Sequence, residues 1–357
     1  MNLAGIILRY REQLERTHGH ELLPGHRRAL DAIVECRTEA CGQVVFDCPR
    51  CHTTEARPCS CGHRICPVCR NFETTRWLER QLDKLLPVRY YMVTVTLPGV
   101  LRPLAWTHQR LVYDQMFRAS HEAMLELAAG HRHFGAEIAM TGMLQTHARN
   151  RNYHPHIHYI VPGGGIDRIR RVWKKKTGKW LFPERALSKL FRGKLRDRLL
   201  AAGLHVTNAI YDHDLVADVE YVGTGEPGLK YMSRYLYRGV LPEQSIVSDT
   251  EGKVTFCYTD SKGTEQTRTM PGAEFLWLLL HHVLPKGYQR VRSYGFLHHN
   301  AKKTLQLVQY TLKVALDIRP EPKRPAWFCP RCHAAMVAVA FIHPRACKPV
   351  GRGPPPP

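Results

Sequence analysis

The chain has 357 residues, 44% hydrophobic and 23% charged, which excludes a mostly disordered protein and provides material for two or three domains. Lys and Arg number 52 against 31 Asp and Glu, a formal net charge of +21 that favours a polyanionic partner, nucleic acid first. The longest apolar run, Phe275 to Leu284, spans roughly half of the ~20 residues a membrane helix needs and contains His281 and His282. The opening MNLAGIILRYREQ has no basic start followed by an apolar stretch, so no secretory signal is read, and a cytoplasmic protein without a membrane partner is expected.

In chain order, helical stretches ILRYREQLERT and HRRALDAIVEC lead into a module holding eight of the twelve cysteines. In a reducing compartment such density points to metal thiolate rather than disulfide. Cys48-Pro-Arg-Cys51 and Cys66-Pro-Val-Cys69 are Cys-x2-Cys knuckles with 14 residues between them, each able to present two thiolates to one tetrahedral zinc. Cys36, Cys41, Cys59 and Cys61 are candidates for a second site, in an interleaved arrangement that would use all eight, with His63 able to replace a thiolate. One or two structural Zn2+ ions are therefore expected. The amphipathic helix NFETTRWLERQLDKLL follows, and RYYMVTVTLP, rich in β-branched and aromatic residues, reads as a strand opening a new domain near residue 86. Residues 103 to 130 read as helix, and AEIAMTGMLQTH and HPHIHYIVPGG as a hairpin turning through Asn150 to Tyr153. A helix from Pro183 to Leu200 with one basic face, strand-like AIYDHDLVADVEYVG, helix LKYMSRYLYR ending at Gly239, a hairpin in KVTFCYTDSKGTEQTRTM and helix EFLWLLLHHVL complete this region. A further knuckle, Cys329-Pro-Arg-Cys332, precedes a Pro/Gly-rich tail expected to be disordered. The organisation read is 1–85 for helices and zinc module, 86–315 for a catalytic domain and 316–357 for a C-terminal knuckle and tail.

Between Arg149 and Arg198 there are 15 Lys and Arg against 3 Asp and Glu, including Lys174, Lys175 and Lys176, which reads as a phosphate-tracking surface. Alternate strand residues share a face, so His154, His156 and His158 project together and can hold a divalent ion. Symmetric fold-back of the hairpin would set His147 opposite His156 and Gln145 opposite His158, either completing the shell. Tyr231 and Tyr235 are four apart, so a helix presents both on one face, beside a row of Lys230, Arg234 and Arg238. A tyrosine hydroxyl is a competent nucleophile on a phosphodiester, the divalent ion polarising the phosphate and the basic row holding the strand.

The cysteine module ending CGHRICPVC, then LQTHARNRNYHPHIHYIVPGGG, LKYMSRYLYRGV and HHVLPKGYQRVRSYGFLHHNAKK, over about residues 30 to 310, resembles rolling-circle transposases of the insertion sequence 91 type. These are HUH endonucleases, whose His-hydrophobic-His motif falls on His156-Ile157-His158 and whose two-tyrosine signature falls on Tyr231 and Tyr235. The resemblance implies an α+β fold with a small central antiparallel sheet and flanking helices. It also implies Mg2+- or Mn2+-dependent nicking of single-stranded DNA through a 5′-phosphotyrosine, with no nucleotide cofactor. The family's usual histidine before the last knuckle is replaced by Ile65, which leaves Cys59 or His63 as substitutes. Tyr237 is a hydroxyl the signature does not need. A plasmid replication initiator or relaxase shares this chemistry, a zinc-dependent DNA-binding regulator would bind without cutting, and a metallohydrolase would nick without a covalent adduct.

Overall fold

The computed structural model describes residues 2–69, 71–130, 135–176, 181–212, 216–236, 240–260, 262–314 and 326–343, with the side chains of 71 and 234–236 outside the description. Helices α1 (Leu3–His18) and α2 (Pro24–Glu35) precede strands β1 (Gln43–Asp47) and β2 (Thr54–Pro58), then α3 (Asn71–Leu82) and β3 (Tyr90–Thr96). Helices α4 (Arg102–Thr107) and α5 (Gln109–Ala129) lead to β4 (Met140–His147), β5 (Tyr153–Pro162), β6 (Gly164–Asp167) and β7 (Val172–Lys175). There follow α6 (Glu184–Ala201), β8 (Ala217–Tyr221), α7 (Glu226–Leu236), β9 (Ile246–Thr250), β10 (Lys253–Thr259) and β11 (Glu265–Pro271). Helix α8 (Gly272–Leu280), β12 (Val291–Tyr294), α9 (Lys302–Thr311) and β13 (Val337–Ile342) complete the described elements.

The fold is mixed α and β around a five-stranded antiparallel sheet in the order β12-β4-β5-β3-β8. Two-residue alternation decides which side chains each face receives. Tyr91, Val93 and Val95 of β3 and Ile157, Tyr159 and Val161 of β5 enter a core with Tyr113, Met116 and Phe117 of α5 and Leu187, Phe191 and Leu195 of α6. The other face carries Ile160 and Met143 against Trp77 and Leu82 of α3 and Leu229 and Met232 of α7. Apolar residues thus hold helices over both faces. The even-numbered histidines of β5 fall on the α3–α7 face.

The β4–β5 pairing corrects the symmetric fold-back expected from the sequence. Gln145 stands opposite His156 rather than His158, Met143 opposite His158, and His147 opposite Tyr153 rather than His156. Two residues of β5, His154 and Pro155, span what Thr146 alone spans on β4, a bulge centred where proline has no N–H to pair. The slip at Gln145 is an even number of residues, so Gln145 remains on the histidine face. Gly142, opposite Tyr159, is required by close approach: an added Cβ would lie 2.3 Å from the tyrosine ring. That ring is buried and its hydroxyl is hydrogen-bonded to Ser120 at 2.6 Å, so it cannot swing aside cheaply.

Packing runs across residues 86 and 316. Ile6, Ile7, Leu30 and Ile33 of α1 and α2 share a core with Phe275, Leu276 and Leu279 of α8 and with Val254 and Phe256 of β10. At the other end β13 pairs antiparallel with β1, whose far side pairs with β2, so the C-terminal segment forms one sheet with the cysteine module. Among the described residues no helix is long and apolar enough to cross a membrane.

His26 of α2 is buried, with Nδ1 accepting the Leu23 N–H at 3.2 Å and its ring stacked on Trp106 at 5.5 Å. Burial, reinforced by His281 and Arg27, lowers its pKa from 6.5 to about 4. Below pH 6.5 the unfolded chain therefore takes a proton the folded chain refuses, and stability falls as pH drops toward 4. Thermal melts of His26→Gln should show a flatter loss over this window than the parent, and parallel curves would contradict the assignment. Gly142→Ala should lower unfolding stability by about 1–3 kcal/mol through overpacking, measured by denaturant titration, whereas no loss would mean that the Tyr159 ring yields freely.

Candidate functional site

A pocket of about 490 Å³ opens over the histidine face, lined by Thr94 and Thr96 of β3, Gln145 and His147 of β4, His154, His156 and His158 of β5, and Tyr231 of α7. The Tyr231 ring meets His158 edge-on, with centroids 5.5 Å apart at 86°. His156 and His158 lie 4.7 Å apart. Hydrogen bonds decide which ring nitrogens have a free lone pair. His156 Nδ1 lies 2.7 Å from the His154 carbonyl, which only accepts, so Nδ1 carries the proton and Nε2 the lone pair. His154 Nδ1 lies 2.8 Å from the Arg102 guanidinium, which only donates. Neutral His154 then carries its proton on Nε2, a poor ligand state. His158 Nδ1 contacts the Thr94 hydroxyl at 2.9 Å, while its buried Nε2 has no hydrogen-bond partner.

The Gln145 amide nitrogen is likewise buried without a partner, and turning the amide over would present Oε1 in its place. Two orphaned polar atoms on paired strands, beside the second imidazole, His156, whose Nε2 carries a lone pair, fit a divalent cation. Burial lowers the pKa of His156 to about 4 and of His158 to about 3, keeping both imidazoles neutral and ligand-competent at neutral pH. His147 faces Tyr153 and its ring packs against His282 at 5.4 Å, so it lines the pocket one bulge away from the His156–Gln145 pair.

Sequence reasoning did not find several supporting side chains. His282, just after α8, has Nε2 2.9 Å from the Arg151 carbonyl and Nδ1 3.1 Å from the Thr146 hydroxyl, clamping the turn of the β4–β5 hairpin. No local periodicity could reveal this, because His282 and Thr146 are 136 residues apart. Thr94 and Thr96 could have been found, since they alternate with the buried valines of β3.

The tyrosine helix is α7, which carries Tyr231 and Tyr235; the side chains of Arg234 and Tyr235, and all of Tyr237 and Arg238, lie outside the described residues. Lys230 is ion-paired with Glu226 at 2.7 Å. Lys174 and Lys175 sit in β7, which pairs with β6 just beyond the end of β5 away from His156. Lys174 is tied to the Gly135 carbonyl at 2.8 Å and to Asp167 at 3.4 Å. The structure therefore does not bring the Lys174–Lys176 run to the tyrosine pocket.

The cysteines form two groups of four, each with its sulfurs within 4.8 Å of one another: Cys36, Cys61, Cys66 and Cys69, and Cys48, Cys51, Cys329 and Cys332. Each can hold one tetrahedral zinc. The interleaved use of all eight N-terminal cysteines is corrected on two counts. Cys41 and Cys59 belong to neither group, and the first knuckle is completed by the C-terminal one, with Cys48 3.4 Å from Cys332 and Cys51 3.5 Å from Cys329. β1–β13 pairing explains the second count, because it carries the distant knuckle to the first. Cys36 and Cys61 complete the other group, so neither Cys59 nor His63 has to stand in for the histidine that Ile65 replaces. Hydrogen bonds from Thr53 lower the Cys51 thiol to about 6, toward the thiolate form that binds metal. Among the described residues these are the only sets of three or more His, Cys, Asp or Glu donors so gathered.

Residues 6–97 match the family described as "Transposase zinc-binding domain", and residues 139–304 match the family described as "Putative transposase". The chain is 31% identical over 378 residues to "Putative transposase y4qJ" of Sinorhizobium fredii, covering 95% of each chain. It is 26% identical over 329 residues to the transposase for insertion sequence element IS801 of Pseudomonas savastanoi pv. phaseolicola, covering 86% of this chain and 75% of that protein. No solved structure matches it. The second family match covers both strands that carry the histidines and the helix that carries Tyr231, and the first covers six of the eight clustered thiols. The chain belongs to the transposases of the insertion sequence 91 type, enzymes acting on DNA, with a zinc-binding domain at its N-terminal end.

Proposed function

We propose that the protein is a rolling-circle transposase that nicks single-stranded DNA by attack of Tyr231 and transfers the strand through a 5′-phosphotyrosine. The observation that carries this reading is the placement of Tyr231 edge-on to His158, over two strands whose His158 Nε2 and Gln145 amide nitrogen are buried without partners. His156, His158 and Gln145 would hold Mg2+ or Mn2+, which supplies Lewis-acid polarisation of the scissile phosphate. The Tyr231 hydroxyl loses its proton and forms a bond to phosphorus; the bond from phosphorus to the 3′-oxygen breaks, and that oxygen gains a proton as a free 3′-hydroxyl. The phosphotyrosine retains the energy of the broken diester, so strand transfer needs no nucleotide cofactor. Tyr235, one turn further along α7, is assigned the second transfer. Thr94 orients His158 and the His154 carbonyl orients His156, so both rings are held ready before DNA arrives.

Incubation with labelled single-stranded DNA from the element's ends, followed by a denaturing gel, tests this. A metal-dependent band at protein mass is expected, reduced roughly 10³-fold or more in Tyr231→Phe/Tyr235→Phe. Persistence of the adduct in that variant would defeat the reading, and nicks without adduct would transfer it to a hydrolase. His156→Ala should cost more than the ~10–100-fold typical of losing an outer-shell partner.

Both thiolate groups are assigned structural zinc. Metal analysis of the purified chain should find two zinc ions, falling to one in Cys329→Ser/Cys332→Ser while the Cys36 group keeps its ion. Two ions in that variant would remove the C-terminal knuckle from the centre.

A further inference from the structure

The stretch Gln289 to His299 has no role in the chemistry above, yet it builds one wall of a groove of about 940 Å³ along β12 at the edge of the central sheet. Arg80 and Lys84 from the α3 region, Arg118 of α5, Arg64 of the cysteine module, and Arg290 and Arg292 line it, with Asp83 the one carboxylate in the lining. Three of these cations have visible structural duties. Arg292 is paired with Asp114, Arg290 donates to the Leu144 carbonyl at 2.8 Å and Arg64 to the Tyr288 carbonyl. Arg80, Lys84 and Arg118 have no carboxylate partner among the described residues, and Arg80 and Arg118 are exposed. Burial, and after it the neighbouring Arg80, lower the pKa of the Lys84 ammonium.

The groove also has direction. Val291 of β12 pairs with Met143 of β4, and Met143 pairs with His158, so the groove edge lies two strand spacings, about 10 Å, from the histidine pair. Arg64 and Arg290 line both this groove and an adjoining hollow of about 600 Å³ that carries Arg28 and Lys286 together with Asp31 and Glu35, so the open surface continues from the sheet edge to the thiolate module while the carboxylate-poor lining is confined to the groove. His298 and His299, with ring centroids 4.1 Å apart, offer aromatic surface beside the cations. A backbone-tracking row of cations with aromatic surface beside it is the recognition chemistry of single-stranded nucleic acid.

We propose that this groove along β12 is the path of the DNA single strand flanking the nick, with Arg80, Lys84 and Arg118 contacting its phosphates. It rests on the single-stranded DNA reading above and places the main strand contact there, rather than on the Lys174–Lys176 run.

The test is binding without chemistry, in the Tyr231→Phe/Tyr235→Phe protein, using a labelled single-stranded oligonucleotide titrated at several salt concentrations. In that background Arg80→Glu/Lys84→Glu/Arg118→Glu should weaken binding at least tenfold. Losing three phosphate contacts should lower the log–log salt slope by about 2, at about 0.7 per contact. Lys175→Glu/Lys176→Glu, on the β6–β7 ribbon, should bind as the parent does. Arg80→Gln/Arg118→Gln, which touches only exposed positions, should give an intermediate loss and guards against misfolding of the triple variant. Unchanged affinity and slope in both groove variants, an equal loss in the ribbon variant, or no single-strand binding by the parent would each overturn the proposal. Adduct formation by the wild type is read separately, so failure of the groove leaves the tyrosine chemistry standing, and failure of the adduct leaves the binding result readable.

Discussion

The pairing of β4 with β5 is the constraint on which the site depends. Pro155 cannot donate to the ladder, and the bulge beside it sets Gln145 opposite His156 while leaving both on one face. On the opposite face Tyr159 and Ile157 are locked into the α5–α6 core, Gly142 making room for the tyrosine ring. The histidines therefore cannot turn inward without expelling that core, a one-residue slip that would exchange every side chain of the strand between faces. His282, just after α8, clamps the hairpin turn, and Leu229 and Met232 seat α7 on Ile160 and Met143. Tyr231 reaches His158 because of this packing, not because of any contact encoded locally.

The second organising element is the joining of distant chain segments. β13 supplies a strand to β1, and Cys329 and Cys332 supply two sulfurs to Cys48 and Cys51. A small sheet whose β13 residues are all exposed has little core of its own, so bound metal would be its main tie. The other thiolate group adjoins the α1–α2–α8 core, where Cys66 and Cys69 are buried with Ile33 and Leu280. The cysteine module is thus built onto the part of the chain that carries the central sheet, and Arg64 from its last turn lines the groove at the sheet edge.

Much of this was legible in the sequence because it is local. Alternation in HPHIHYIV gave the face of His156 and His158, the four-residue step from Tyr231 gave helix α7, and the Cys-x2-Cys spacings gave the knuckles. What was not legible depends on long-range pairing. The bulge at Pro155 moved Gln145 by two positions, which symmetric fold-back could not anticipate. The partner of the Cys48 knuckle lies 284 residues from Cys48 at Cys332, and no spacing rule links them. Charge counting singled out Lys174 to Lys176, but Asp167 and the Gly135 carbonyl already engage Lys174. The cations without such partners come from two segments, Arg80 and Lys84 at the end of α3 and Arg118 on α5, and become a cluster only when these elements meet at β12.

The central claim is that this sheet and helix α7 hold one nucleophile over one pair of histidines. Its most direct measurement is peptide mapping by mass spectrometry of the wild-type protein after metal-dependent reaction with single-stranded DNA, to identify the side chain that carries the nucleotide. The account predicts a nucleotide-modified peptide containing Tyr231. Attachment to a tyrosine outside α7, or cleaved DNA with every peptide unmodified, would contradict it.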